Sequence, residues 1–158
     1  MNTRHDISSL AGLSLSELAR IFAQLPSGSA GDLSGTYTGK VLATPGLDSL
    51  PETLRSALLS IVNSPVSPWR GKRFGDGTGS NVWLGGSTEF ASFRIAQAEA
   101  LDGTGPVIQF DYDVDGNPAP VRKILGEARP LGEGRYLARM NYRFDSGPVL
   151  ILYFTLEP

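Results

Sequence analysis

The stretch GRYLARMNYRFDSGPVLILYFTLEP, residues 134–158, decides the fold class of this chain. Its first half alternates between two faces, and one face carries Tyr136, Ala138, Met140, Tyr142 and Phe144. An alternation with a period of two residues is typical of a β-strand. The Asp-Ser-Gly step that follows is typical of a hairpin connection to a second, more apolar run. The stretch therefore predicts two antiparallel strands joined by a tight turn.

Short runs of the same kind, separated by turn residues, fill most of the chain after residue 67. The predicted strands are 33–42, 69–74, 81–84, 89–100, 106–114, 119–131, 134–144 and 147–158. About eight strands is the size at which a closed barrel holds one small ligand, and closure removes exposed sheet edges. We therefore predict a mainly β protein, built as an antiparallel barrel of about eight strands. A curved open sheet wrapped around a helix is the alternative.

Two short helices are predicted near the N-terminus. In residues 14–25, Ser14 and Glu17 have the spacing of a capping box, and large apolar residues recur at helical spacing. Residues 50–63 carry a similar apolar stripe between two prolines, the first of which suits the first turn of a helix. Both segments precede most of the predicted strands.

The composition limits the function classes. The 158 residues carry a net charge of −2, which disfavours general binding to nucleic acid or to an anionic membrane. The chain has no cysteine, and its one histidine, His5, lies in a polar terminal stretch. Thiolate metal sites, cysteine nucleophiles and histidine-based triads therefore lose their usual residues.

The organisation of the chain indicates one domain, because no repeat or linker divides it. We expect residues 1–13 to be a loosely ordered N-terminal segment and residues 14–158 to form a single barrel domain that includes both helices. No run approaches the roughly 20 apolar residues that span a bilayer, and no signal peptide is recognised, so we expect a cytoplasmic protein. We expect no cofactor, no metal and no nucleic-acid partner, and either a monomer or a homodimer.

Two motifs begin like ligand-binding loops but lack the residues that such loops require. DYDVDG, residues 111–116, begins like a calcium loop, yet Arg122 stands where the bidentate glutamate is required. GDGTGS, residues 75–80, lacks the Gly-Lys-Ser/Thr ending of a phosphate loop and lies between two predicted strands. Both motifs are therefore interpreted as turns.

The segment SPWRGKRFGDGTGSNVW, residues 67–83, contains both tryptophans and the tightest cluster of cations. As one wall of a barrel, it would present Trp69 to the apolar part of a ligand and Lys72 or Arg73 to an anionic head group. The alternative is that Trp69 and Lys72 complete the core. We name Trp69, Lys72 and Arg73 as candidate ligand-binding residues.

The polar residues around the predicted turn at 115–118 are candidates for ligand anchoring or proton transfer. If Asp113 and Arg122 point inward, they form a polar pair at depth that suits either role. An exposed cross-strand pair is the alternative. We expect Tyr112 and Tyr142 to act as hydrogen-bonding walls of the same site. All four residues are candidate ligand-binding residues, and the catalytic candidates are Asp113, Tyr112 and Arg122.

Several short motifs follow one another in a recognisable order. In LSGTYTGK, Gly35 and Gly39 match an opening Gly-x-Trp-x-Gly motif, with Tyr37 in place of the tryptophan. A Trp/Tyr-x-Gly-Lys-x-Phe element is matched by Trp69, Gly71, Lys72 and Phe74. A later run is matched by Tyr112, Asp113, Pro118, Val121 and Arg122, followed by a closing strand LYFTLEP. In this order the motifs resemble a group of uncharacterised bacterial lipocalin-like proteins.

This resemblance implies a calycin-type antiparallel barrel with the helical pieces packed at one end, and it implies no assigned activity. It also implies a structural role for Tyr37. In such barrels the opening aromatic packs at the closed end against an arginine of a late strand. The implied stacking partner of Tyr37 is Arg139 or Arg143.

The sequence leaves more than one function open. The first is binding of a hydrophobic small molecule, such as a lipid or a secondary-metabolite-like compound, with or without an anionic head group, inside the barrel. The alternative is a cofactor-free cyclase, isomerase or dehydratase in which Asp113 and a tyrosine transfer protons. A third is an accessory protein that acts through an exposed sheet edge. A fold alone does not decide among them.

Overall fold

A computed structural model describes residues 7–62, 69–83 and 89–158. Its strands are β1 Gly35–Ala43, β2 Trp69–Gly75, β3 Thr78–Trp83, β4 Glu89–Glu99, β5 Pro106–Asp111, β6 Ile124–Gly132, β7 Arg135–Phe144 and β8 Gly147–Glu157. Its α-helices are α1 Ile7–Leu10, α2 Leu15–Gln24 and α3 Glu52–Val62, with short 3-10 turns at Ala30–Asp32, Leu47–Ser49 and Val121–Lys123. Within these ranges, no helix combines the length and the apolar character needed to cross a membrane.

The eight strands form a closed barrel in which each strand pairs antiparallel with the next and β8 pairs with β1. The predicted fold class is therefore confirmed: a mainly β protein with a closed eight-stranded antiparallel barrel and short helices near the N-terminus. The alternative of a curved open sheet is wrong. Because every described strand has two neighbours, this barrel offers no free edge to which an accessory protein would add a strand.

The turn between β2 and β3 fixes which residues face one another across this hairpin. Asp76 and Gly77 have φ angles of 52° and 75°, and positive values at both positions are what a two-residue hairpin turn requires. Counting back from the turn, Lys72 of β2 pairs with Asn81 of β3. Lys72 also pairs with Tyr37 of β1. Directly paired residues share a face, and here that face is the barrel interior.

Aromatic and aliphatic side chains line the interior of the barrel. Edge-to-face contacts link the ring of Tyr37 to Phe74 at 5.4 Å and to Tyr136 at 6.0 Å between centroids. Helix α3 belongs to the same core, because its partly buried leucines pack against the interior cluster. The helix therefore lies over one end of the barrel. The larger interior residues are Tyr37, Phe74, Phe93, Ile108, Phe110, Tyr112, Tyr136, Met140, Tyr142, Leu152, Phe154 and Leu156.

Helices α1 and α2 pack on the outside of the barrel wall, where they form a second core. In α2 the predicted capping box is present: the Ser14 backbone N–H donates to Glu17 Oε2 at 2.8 Å, and the Glu17 backbone N–H donates to Ser14 Oγ at 3.3 Å. The sequence pattern did not predict α1, whose four residues are too few to show helical periodicity. The buried members of this outer core are Ile7, Leu10, Leu18, Ile21, Phe22, Ala100, Val107, Leu131, Leu137 and Tyr153.

Arg129 of β6 fastens α2 to the outer wall. Its side chain is 1% exposed, and its guanidinium donates hydrogen bonds to three backbone carbonyl oxygens. These belong to Phe22 at 2.7 Å, Thr104 at 2.9 Å and Pro106 at 3.1 Å. The Phe22 carbonyl is in the last turn of α2, where helix carbonyls lack partners within the helix. The Phe22 carbonyl also accepts the Leu25 backbone N–H at 3.3 Å, so Arg129 adds a second, shorter hydrogen bond at the end of the helix.

Arg139 of β7 is the second buried cation of this outer interface. Its Nε donates to Glu127 Oε2 at 2.6 Å, and its Nη1 donates to Asp102 Oδ2 at 2.9 Å. Its guanidinium also lies 4.2 Å from the ring centroid of Phe22. The second oxygen of the Glu127 carboxylate accepts the Leu101 backbone N–H at 2.7 Å. Every charge of this network is therefore matched by an opposite charge or a hydrogen bond.

The stacking partner that the lipocalin-like resemblance implies for Tyr37 is wrong. Tyr37 points into the barrel and contacts aromatic rings, whereas Arg139 points outward beneath α2. Arg143 donates instead to Asp111 at 3.4 Å. The reason is the pleat: odd-numbered residues of β7 face the outside, and Tyr136 fills the inward position next to Tyr37.

Candidate functional site

The barrel interior contains one buried cluster of polar side chains, centred on Lys72, within the part of the chain that is described. Lys72 is 3% exposed although its neighbour Arg73 is exposed, because successive side chains of β2 point to opposite faces. Lysine is almost never fully buried unless it is paired. What surrounds its amine therefore decides whether the residue is structural or functional.

Two polar atoms contact the Lys72 amine. Nζ donates to Asn81 Oδ1 at 2.8 Å and to the hydroxyl of Tyr112 at 2.5 Å. Asn81 Oδ1 also accepts the indole N–H of Trp69 at 3.1 Å. Asn81 and Tyr112 thus contact the amine directly, and Trp69 contacts it through the shared Asn81 oxygen. None of the described residues gives Lys72 a carboxylate partner. The pKa of its amine is lowered, and the cause is burial.

Aromatic rings enclose the amine, and we refer to them as the Lys72 cage. Ring faces carry partial negative charge and attract an ammonium group over distances up to about 6 Å. The rings therefore add weak attraction to the two hydrogen bonds of the amine, and none of the described residues supplies a full counter-charge. The distances from Nζ to the ring centroids are 4.8 Å for Phe93, 5.2 Å for Tyr112, 5.5 Å for Phe154, 5.8 Å for Phe110 and 5.9 Å for Trp69.

Burial changes the proton affinities of this site. It lowers the pKa of the Lys72 ammonium from 10.5 to about 7, because the charged form loses its hydration. It raises the pKa of the Tyr112 hydroxyl above its usual value of 10 for the same reason. Near neutral pH, Lys72 is therefore present both as an amine and as an ammonium, whereas Tyr112 stays a neutral phenol. The pair places a basic nitrogen next to a proton donor.

A bulge in β4 positions Asn81. Ala91 has a φ of 61°, a left-handed conformation that is unusual for a residue with a side chain, and the β3–β4 register shifts between Ser80 and Asn81. The Asn81 amide donates to the Ala91 carbonyl at 3.2 Å and to the Tyr112 hydroxyl at 3.3 Å. The bulge carbonyl therefore holds the amide so that its oxygen faces Lys72. Strained backbone of this kind is often found at functional sites.

Trp69 forms the half-buried side of the cage. Its ring meets Phe154 edge-on at 5.7 Å between centroids and lies directly over Gly39 of β1. A Cβ atom on Gly39 would lie 2.1 Å from the Trp69 ring, so no larger residue fits at that position. Glycine at position 39 is explained by this contact.

Of the residues named from the sequence, Trp69, Lys72 and Tyr112 come together in the cage. Tyr142 also faces the interior, where it is 2% exposed and its ring packs on Phe144 at 4.8 Å. Arg73 does not join them, because it lies on the outer face, where its Nε donates to Thr36 Oγ1 at 3.3 Å. Only Lys72 of the two predicted cations is therefore available to an interior ligand.

The expectation of an Asp113–Arg122 pair at depth is wrong. The two side chains do pair, with Arg122 Nε 2.7 Å from Asp113 Oδ1, but they are 42% and 50% exposed. The reason is that β5 ends at Asp111, three residues earlier than predicted. Asp113 therefore lies in the connection that follows, and Arg122 lies in the 3-10 turn before β6.

Sequence reasoning missed Asn81 and two phenylalanines of the cage, Phe93 and Phe110. Asn81 had a usable signal, because a two-residue Asp-Gly turn at 76–77 places residues 72 and 81 opposite each other. Phe93 had none, since the bulge at Ala91 shifts the register by an amount that the residue types do not reveal. Phe110 lies on the predicted inward face of β5 but was not linked to Lys72.

A surface cleft of about 490 Å³ opens beside the β2–β3 hairpin. Phe93 borders both this cleft and the Lys72 cage. The lining residues of the cleft are Arg73, Phe74, Gly75, Thr78, Gly79, Ser80, Ser92, Phe93, Arg94, Val114 and Asp115.

Comparisons with known proteins support the fold. The crystal structure of a protein from Thermomonospora curvata is similar to this chain, with a TM-score of 0.61 over 96% of this chain and 91% of that chain, at 19% sequence identity. An identity this low shows a shared barrel fold and nothing more specific. No family model matches the chain, and a search of curated proteins gives no significant match. The resemblance to lipocalin-like proteins and their Gly-x-Trp-x-Gly motif therefore stays a prediction.

Proposed function

We propose that the protein binds a hydrophobic small molecule inside the barrel, with a polar head group of the ligand in contact with Lys72. The observation that carries this proposal is the buried Lys72 amine, which has ring faces and two neutral oxygens around it but no carboxylate from any described residue. A closed eight-stranded barrel is compatible with such a ligand.

The energetics of burial favour a ligand over a purely structural role for Lys72. Removing an ammonium group from water costs several kcal/mol, and proteins normally offset this cost with a paired charge or complete hydrogen bonding. The aromatic rings, Asn81 and Tyr112 offset only part of this cost. A ligand head group that carries negative charge or accepts a hydrogen bond would offset the rest. The aromatic rings would contact the adjoining apolar part of the ligand.

The body of the ligand would lie among the interior side chains between the cage and α3. Met140, Tyr142 and Leu152 belong to this interior core, and methionine adapts its shape to different apolar groups. The partly buried leucines of α3 would then cover the ligand. Half-buried Trp69 marks the side of the cage nearest to solvent.

The test is calorimetric titration with three probes of equal chain length: dodecanoate, dodecanol and dodecanal. We expect wild-type protein to bind dodecanoate, and we expect Lys72→Met to weaken that binding at least tenfold, about 1.4 kcal/mol. Lys40→Met is the matched control, because Lys40 is an exposed lysine on β1 and is expected to bind like wild type. Binding of none of the probes to wild type, or equal dodecanoate affinity in Lys72→Met, would overturn the proposal.

A second candidate, a cofactor-free enzyme, is favoured by the direct hydrogen bond between Lys72 and Tyr112. The acid and base of such an enzyme would be Tyr112 and Lys72, and no longer Asp113, which is exposed and paired with Arg122. The probe is 2-dodecanone in heavy water, whose α-hydrogens an enzyme of this kind would exchange for deuterium. We expect Tyr112→Phe to bind the ketone but lose the exchange. Absence of exchange with wild-type protein that binds the ketone would exclude this candidate.

A further inference from the structure

We propose that Lys72 forms a reversible imine with a hydrophobic aldehyde, so that the head group bound at the cage is a carbonyl carbon. This inference rests on the proposed function, because the aldehyde needs the same interior space as any other ligand. It goes further by naming the chemical class of the ligand and a covalent bond to one atom, Lys72 Nζ.

The surroundings of Lys72 meet the requirements of an amine nucleophile. Such an amine must be neutral to attack, and an adjacent carboxylate would hold it protonated. Among the described residues no carboxylate pairs with Lys72, and burial lowers its pKa to about 7. The two other lysines of the chain, Lys40 and Lys123, are both exposed. The three lysines therefore differ in the property that decides imine formation at neutral pH.

Tyr112 supplies the proton transfers that the reaction needs. The Lys72 lone pair attacks the carbonyl carbon, a C–N bond forms, and the Tyr112 hydroxyl protonates the carbonyl oxygen. One N–H proton returns to Tyr112, which gives the carbinolamine. Tyr112 then protonates the departing hydroxyl and receives the second N–H proton as the C=N bond forms. Amine and aldehyde thus give imine and one water, and Tyr112 ends as it began.

Asn81 holds the nitrogen in place through these steps. Its Oδ1 accepts a hydrogen bond from Nζ at 2.8 Å, and its amide is itself fixed by the Ala91 carbonyl. The neutral imine also removes the cost of a buried charge without a counter-charge. A protonated imine would keep the attraction of the ring faces, the closest of which is that of Phe93 at 4.8 Å.

The experiment traps the imine with sodium cyanoborohydride in the presence of dodecanal. Intact-mass analysis and peptide mapping then report which amine carries a dodecyl group. In wild-type protein we expect the first label at Lys72, at least tenfold faster than at Lys40 or Lys123. This selectivity is measured within one folded chain, so it needs no variant. Equal labelling of the three lysines, or labelling that avoids Lys72, would overturn the inference.

Variants and a second probe separate this inference from the proposed function. Lys72→Met should lose the fast label and Lys123→Arg should keep it, with folding of each checked by circular dichroism. Tyr112→Phe should slow labelling at Lys72 by about 10²-fold or more, the usual contribution of a positioned acid. If dodecanoate binds but dodecanal is never trapped at Lys72, the inference fails and the proposed function stands. If no probe binds, both fail.

Discussion

The barrel wall buries cations on both of its sides, and the partners of these cations differ between the two sides. On the outside, Arg139 is paired with Glu127 and Asp102, and Arg129 donates three hydrogen bonds to backbone carbonyls. On the inside, Lys72 has aromatic rings, an amide oxygen and a phenol. The outer network is complete without any further molecule, so its role is to hold α2. The inner site has no such charge pair among the described residues, and the proposed ligand site rests on this difference.

The pH dependence of stability tests this contrast with the largest expected effect. Burial lowers the pKa of Lys72 to about 7 from 10.5, so between these pH values the unfolded chain binds more protons than the folded one. The contribution of Lys72 to stability therefore falls as the pH drops from 10.5 to about 7, and this contribution changes no further below that. The full loss is roughly 5 kcal/mol, at about 1.4 kcal/mol for each tenfold change in proton affinity.

Urea denaturation of wild type and Lys72→Met from pH 6 to pH 10.5 measures this loss. We expect Lys72→Met to gain stability relative to wild type as the pH falls through that window. The hydrogen bonds that the variant loses add an offset that does not vary with pH. The titratable groups beside Lys72 on neighbouring strands are Tyr112 and Tyr37, and burial raises the pKa of both. A stability difference that is flat with pH would show that Lys72 is not desolvated as described.

Replacing Arg139 in the outer network should lower the stability of the protein, whereas replacing Lys72 should raise it relative to wild type as the pH falls. Arg139→Met leaves the fully buried Glu127 carboxylate without its cation, and breaking a buried pair in this way costs about 3–5 kcal/mol. The measurement is urea denaturation at pH 7, with Arg122→Met as the control because Arg122 belongs to an exposed pair. If Arg139→Met were as stable as Arg122→Met, the outer network would not be what holds α2.

The smallest effect is expected at the exposed pair itself. Asp113→Asn removes the charge that faces Arg122, but both side chains are largely hydrated. We expect the dodecanoate affinity to stay within about twofold of wild type and the urea midpoint to remain unchanged. A loss of affinity comparable to that of Lys72→Met would show that Asp113 contributes to ligand binding.

The strand pattern could be predicted from the sequence because alternation is a local property. Residues 134–158 do form β7 and β8, and the even-numbered residues of β7 do share the interior face. Strand ends were less predictable. The apolar and acidic residues of 106–114 continue the alternation past Asp111, but the chain turns there, so Asp113 lies outside the barrel.

The candidate site was predicted only in part, because its members come from different strands. Trp69, Lys72 and Tyr112 were named from the sequence, and all three line the cage. Their meeting depends on the stagger of the closed sheet and on the bulge at Ala91, which no local pattern encodes. Burial of Lys72 without a carboxylate is likewise a property of the assembled barrel.

The hydrogen bond from Arg129 to the last turn of α2 has a consequence for where the folding unit begins. A fragment that started at β1 would have all eight strands, yet it would leave the guanidinium groups of Arg129 and Arg139 without the Phe22 carbonyl and ring beneath which they lie. The apolar outer face around Leu137 and Tyr153 would also be uncovered. The strands alone close the barrel, but the segment before residue 25 is needed to cover the apolar outer face of its wall. We therefore expect the smallest piece of this protein that folds on its own to be larger than its barrel.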